Sequence, residues 1–242
     1  MRLLAAELLK VWTAPRTLLG ILLAEVAIVL IGVISTIHSA INNNHMLPER
    51  LGQDLVGTAG TSLLFATLLG VLIATTEYRH GTITLTFLAT PAREKVIAAK
   101  TAAAVIASAL LVLPAVALSL GIAEVWIGGR DDWHFGSHEW ELVARLFLGA
   151  AIVAMIGLFI GASLKRQLGA VIVVLGWLVF VEHALEGLFP GTKDYLAGRS
   201  IGGVLTDDSG GPSFGHSLVV LAVYLVVLGG VAIVRTRGSD VT

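Results

Sequence analysis

Residues 144–164 read ARLFLGAAIVAMIGLFIGASL, with a single charge, Arg145, near the start. A helix rises about 1.5 Å per residue, so about 20 apolar residues cross the roughly 30 Å hydrocarbon core of a bilayer. Five further stretches meet that requirement: Leu18–Ile37, Val56–Thr76, Ala102–Ala123, Leu168–Leu188 and Ser217–Val234. The six together hold about half of the 242 residues. Of 16 basic and 17 acidic side chains, only Glu25, Arg145, Glu182 and Glu186 fall inside them. Barrel strands would run about 10 residues and alternate apolar with polar, and no such pattern recurs. The sequence predicts an all-α integral membrane protein of six transmembrane helices, a single membrane domain over residues 1–242.

Composition agrees and narrows the function. Charged residues make up 14% of the chain and hydrophobic ones 56%, against about 25% charged in ordinary soluble domains. With a mean hydropathy of +0.87, a soluble enzyme is excluded. A net charge of -1 leaves no basic footprint for nucleic acid. The absence of cysteine removes disulfides, thiolate nucleophiles and zinc–thiolate sites.

Lys and Arg set the orientation. Arg2, Lys10, Arg16, Arg79, Arg93, Lys95, Lys100, Lys165, Arg166, Arg235 and Arg237 fall on one side. Arg50, Arg130, Arg145, Lys193 and Arg199 fall on the other. Both termini are therefore expected in the cytoplasm. Residues 1–16 precede the first span, with Leu4, Leu8 and Val11 on one helical face joined by Trp12, and Arg2, Glu7 and Lys10 assigned to the other. That pattern predicts a helix lying in the membrane interface and ending near Pro15. No G-x-x-x-x-G-K-[ST] phosphate loop occurs, so any ATP-driven step needs a motor on another polypeptide.

The cytoplasmic segment 77–100 follows the second span: TTEYRHGTITLTFLATPAREKVIAAK over residues 75–100. The second span is expected to continue through Glu77 and Arg79, with Gly81 letting the chain turn. Thr82–Phe87 alternates as a strand would, yet Ile83 and Phe87 also share one helical face, and the six residues leave both readings open.

AELLKVWTAPRTLLG at residues 6–20 and TEYRHGTITLTFLATPAREKVIAAK at residues 76–100 resemble the type-2 ATP-binding-cassette permeases, most of all the compact six-span subunits of actinobacterial exporters. The resemblance implies a subunit in the bacterial plasma membrane, paired with a second permease chain and two cytoplasmic ATPase subunits that bind ATP and Mg2+. This chain itself would hold no cofactor and no metal and perform no covalent chemistry. It further implies that Glu77, Tyr78, Arg79, Gly81 and Thr82 lie at the surface on which the ATPase docks. A charged, rigid helix extension suits that task, with Glu77 and Arg79 offering charge-assisted bonds to a soluble partner. In the family the second and fifth spans border the route between permease halves. That makes Thr61, Ser62, Phe65, Trp177 and Phe180 candidate path residues for an amphiphilic cargo such as a drug, peptide antibiotic or lipid.

Several polar groups invite other readings. A carboxylate at Glu25, in the middle of the first span, costs roughly 2.5–3.5 kcal/mol if charged. It either serves a proton- or cation-linked carrier or sits protonated among neighbouring helices. Glu182 and Glu186 are four apart on one face of the fifth span, whereas His183 points about 100° away. An intramembrane enzyme built on the three would need distortion, so they are read as lining an outer vestibule. In GGRDDWHFGSHEWE, residues 128–141, His134 and His138 stand among Asp131, Asp132, Glu139 and Glu141, flanked by Trp133 and Trp140. This reads as a solvated amphipathic turn with interfacial anchors. The outer loop 189–216 is glycine-rich and is expected to fold back onto the membrane surface between Lys193 and Leu205. Ala150, Ala154, Gly157 and Gly161 form a small-residue ridge on the fourth span for close helix packing.

Overall fold

The computed structural model describes residues 2–13, 15–42, 54, 57–127, 137–206 and 211–238. Asp131, Asp132, Trp133, His134, Asp207, Asp208, Arg50 and Arg130, all assigned above to outer loops, lie outside the described residues. Of the described residues 91% are helical, and none of them is in a strand. Among the described residues six helices are long and apolar enough to cross a membrane, and each coincides with an expected span.

A short helix, α1 (Arg2–Trp12), precedes α2 (Pro15–Asn42), which opens on proline, the residue that loses nothing at a helix's first position. Then come α3 (Ser62–Arg79), the short α4 (Ile83–Ala89) and the long α5 (Arg93–Ile127). Helix α5 begins well before Ala102 and carries Pro114 in its interior, tolerable where neighbouring helices shield the freed carbonyl. Next are α6 (Ser137–Leu164), α7 (Gln167–Leu188), α8 (Ala197–Leu205) and α9 (Phe214–Arg237).

Helices α3 and α6 form the enclosed centre. The expected ridge explains why: a Cβ built at Gly157 would lie 2.1 Å from the Thr67 carbonyl oxygen, and one at Gly70 would lie 2.0 Å from that of Ala154. Backbones this close gain dispersion contacts along their whole length, the main source of attraction between helices in lipid. Around this pair, Val29 and Val33 of α2 and Val112 and Val116 of α5 fill one end of the core. Leu69, Ile73, Ala104 and Leu158 fill the end nearer the chain termini.

Helix α3 ends in a Schellman motif. Thr82 N–H donates to the Glu77 carbonyl (2.9 Å) and Gly81 N–H to that of Tyr78 (3.4 Å), with Gly81 at φ +69°. This is the turn expected of Gly81, and it launches Ile83–Ala89 as helix rather than strand. The period-2 pattern loses because Ile83 and Phe87, one turn apart, bury together against Val96 and Tyr78.

Candidate functional site

The terminus-bearing end of the bundle holds a cluster of four charges drawn from three helices. On α1, Leu4, Glu7, Leu8 and Val11 recur at three- and four-residue spacings, so Glu7 belongs to the stripe facing the bundle rather than to the polar face. It is 1% exposed, whereas Leu9 and Trp12 are each 63% exposed. This corrects the expectation that grouped Glu7 with Arg2 and Lys10. The physical reason is its partner: on α5, Lys100 falls on the buried stripe of Val96, Ile97, Ala103 and Ala104.

Lys100 Nζ lies 2.8 Å from Glu7 Oε2 and 2.6 Å from Glu77 Oε2, and Lys10 Nζ lies 2.6 Å from Glu7 Oε1 and 2.7 Å from Glu77 Oε1. Thr86 of α4 donates its hydroxyl to Glu77 Oε1 at 2.7 Å. Two carboxylates and two ammoniums thus alternate around a neutral ring that joins α1, the end of α3, α4 and α5. Burial pulls the Lys10 ammonium down, but the hydrogen bonds and charges of Glu7 and Glu77 more than offset this and hold it above its usual value.

A second tie crosses to the last helix. Arg93 donates to the Thr236 carbonyl at 2.7 Å and lies 5.0 Å from the centre of the Phe87 ring. Its charge meets the negative end of α9 while its plane covers α4 from below. Helix α4 is held on one face by Ile83 and Phe87, and its opposite face presents Leu85 and Leu88, 67% and 74% exposed.

The five expected coupling residues converge here but divide by role. Glu77 is buried and its carboxylate is taken up by Lys10, Lys100 and Thr86, so it is not available to bond a soluble partner. Tyr78 is half-buried under α4. Arg79, Gly81 and Thr82 are exposed, and Arg79 donates to Gln167 Oε1 at 3.1 Å.

The candidate path residues are not brought together. Ser62 is fully buried and donates to the Ala59 carbonyl, Phe65 is buried in the core, Thr61 is exposed, and Phe180 is 72% exposed on α7. Trp177 alone borders an apolar cavity of about 520 Å3, walled by Leu63, Ile156, Val174, Leu205 and Tyr224.

Trp177 begins a π-helical turn, Trp177–Val181. Residues five apart diverge on an α-helix, but this wider turn aligns them, and the Trp177 indole donates to Glu182 Oε1 at 2.8 Å. Glu182 also accepts from Gly198 N–H at 2.9 and 3.0 Å, which sets a carboxylate on the positive end of α8. Glu182 thereby anchors α8, which lies within the outer loop 189–216. His183 is exposed and Glu186 half-buried, so the three do not converge. Among the described residues no group of three His, Asp or Glu side chains is placed to hold a metal. Arg145 pairs with Glu141 at 2.6 Å. Glu25 is 0% exposed, and neither carboxylate oxygen has a hydrogen-bond partner among the described residues.

Sequence reasoning missed Glu7, Lys100 and Thr86. The helical stripes on which Glu7 and Lys100 fall were the available signal. No family model matches the chain, and no curated protein matches it.

Proposed function

We propose that this chain is the membrane-spanning permease subunit of an ATP-driven exporter in the bacterial plasma membrane, with both termini in the cytoplasm and α1 lying along the interface. It pairs with a second permease, the same chain or a homologue, and with two ATPase subunits that bind ATP and Mg2+. An amphiphilic cargo moves by alternating access between the two permeases, as motor closure shifts the helices as rigid bodies. The observation that carries this reading is the neutral charge ring. It braces α1, α3, α4 and α5 into one platform, from which α4 holds out Leu85 and Leu88. Exposed leucines on a braced helix beyond the end of a span suit a groove on a soluble partner better than they suit water. The apolar cavity beside Trp177 suits an amphiphilic cargo.

The test is purification from native membranes in mild detergent. The wild-type chain should retain a P-loop ATPase with measurable ATP hydrolysis. Leu85→Asp/Leu88→Asp should insert normally and lose it. A wild-type chain that purifies alone refutes the reading. An ion-coupled carrier working through Glu25 is the second reading, favoured by that residue's complete burial with no hydrogen-bond partner among the described residues. Cargo uptake driven by a proton gradient without ATP, abolished by Glu25→Gln, would establish it instead.

A further inference from the structure

A cleft of about 600 Å3 opens where the ends of α3, α6 and α7 meet, lined by Arg79, Lys165, Arg166, Gln167, Leu168 and Val171. Among the described residues that line it, three are cations and none is an acid. Elsewhere at this end, among the described residues, Glu77 is paired with Lys10 and Lys100, and Glu94 with Arg237 at 3.6 Å. Lys165 sits at φ +57°, the left-handed conformation that costs a non-glycine residue, with its Nζ 3.0 Å from the Arg235 carbonyl. Burial, and then the positive charges of Arg93 and Arg235, hold the Lys165 ammonium below its usual value. The other wall is apolar: Leu168 and Ile172, one turn apart on α7, are 73% and 60% exposed and continue into the span.

We propose that this cleft binds the phosphate of an anionic phospholipid in the leaflet on the basic side of the protein, with an acyl chain lying along Leu168 and Ile172. Cations at the headgroup level beside an unbroken apolar strip match a lipid, whereas an acidic protein surface would leave Leu168 and Ile172 without a partner. This inference does not depend on the ATPase reading.

The full chain in neutral detergent would be titrated with phosphatidylglycerol, phosphatidylcholine and inorganic phosphate, with binding read by native mass spectrometry. Wild type should bind phosphatidylglycerol well ahead of phosphatidylcholine, and inorganic phosphate should not compete at equal concentration. Lys165→Asn keeps a side chain that tolerates left-handed backbone, and Arg166 is exposed, so the double variant Lys165→Asn/Arg166→Gln removes charge without unpacking the turn. At about fivefold per cation, it should weaken phosphatidylglycerol roughly 25-fold and leave phosphatidylcholine unchanged. Should the double variant misfold, Arg166→Gln alone should weaken it about fivefold. Equal binding of the two lipids, full competition by phosphate, or unchanged affinity in the variants overturns the proposal. So does a double variant that keeps its lipid and loses only a protein partner.

Discussion

Replacing Lys100 by methionine removes one cation from the buried ring and keeps most of the side chain's volume. Its side chain is 4% exposed and its ammonium touches both carboxylates. Without it, Glu7 and Glu77, 1% and 9% exposed, share only Lys10, which is 42% exposed. Each carboxylate then keeps one bonded oxygen, and two like charges face each other across the gap. Removing one partner of a buried pair costs about 3–5 kcal/mol. Replacing both members by neutral groups costs far less, because no charge is stranded. Lys100→Met should therefore destabilise the chain by about 3–5 kcal/mol, and Glu7→Gln/Lys100→Met should recover more than half of that loss. Reversible unfolding in mixed detergent micelles, followed by tryptophan fluorescence, would measure a double-mutant cycle. If the Glu7 and Lys100 effects simply add to within about 0.5 kcal/mol, the two residues do not interact energetically and the ring is a geometric coincidence.

Gly157→Ala should push α3 and α6 apart, since the new methyl would lie 2.1 Å from the Thr67 carbonyl oxygen; overpacking of this kind costs about 1–3 kcal/mol, and a thermal transition equal to wild type would refute the contact. Glu182→Gln takes the charge off the N-terminus of α8, an interaction of roughly 1 kcal/mol, so amide exchange over residues 197–205 should quicken about fivefold; no change would mean the anchor is elsewhere. Raising the pH should act oppositely at two places. With its folded value above 10.5, Lys10 stabilises fully below pH 10.5 and loses that contribution as pH climbs through the folded value, where the folded state binds more protons. With its folded value below 10.5, Lys165 gives stability that rises with pH in the window beneath 10.5, where the unfolded chain binds more protons. Hydrogen exchange localised by fragment should show α1 loosening above pH 10.5 while the α6–α7 turn does not.

The parts of this architecture legible in sequence are those governed by local period or by one residue's geometry. Six apolar runs gave six helices at the expected places, because spanning length depends only on rise per residue. The Ala150–Gly161 ridge was readable because only small residues permit backbone contact, and Gly81 because few other residues take positive φ. What escaped was pairing across distance. Glu7 meets Lys100 over 93 residues and Glu77 meets Lys10 over 67, and no local period connects them. The N-terminal helix ends before Pro15 as expected, but Glu7 escaped for a related reason: its charge suggests the polar face, whereas its spacing puts it among Leu4, Leu8 and Val11. At Glu182, the carboxylate was visible in sequence but its task was not, because the π-turn that aims Trp177 at it has no signature in WLVFV.

These contacts also indicate where the bundle can move. The charge ring binds α1, α3 and α5 so that displacing any one separates bonded charges, the Thr86 hydroxyl ties α4 to Glu77, and α3 is seated on α6 at Gly70, Gly157 and Gly161 with no room to slide. A push on α4 would thus carry this block as one body. Helix α7 is different: little of it is buried, its π-turn interrupts the regular ladder, and it meets α3 chiefly through Val71, Ala170 and Val174. On the proposed exporter reading, motion between α3 and α7 is the expected conformational step, and the cysteine-free sequence permits a direct test. A Cβ at Gly161 would lie 3.0 Å from that of Ala74, inside the roughly 3.5–4.5 Å that a disulfide spans, so the helices must part slightly and the reduced double variant is the reference. Ala74→Cys/Gly161→Cys, oxidised, should leave ATP hydrolysis by the reconstituted complex coupled to cargo. Val71→Cys/Val174→Cys should trap one state and arrest transport until reduced. Arrest by the first bridge, or free running under the second, would mean that the hinge lies inside the block these contacts define as rigid.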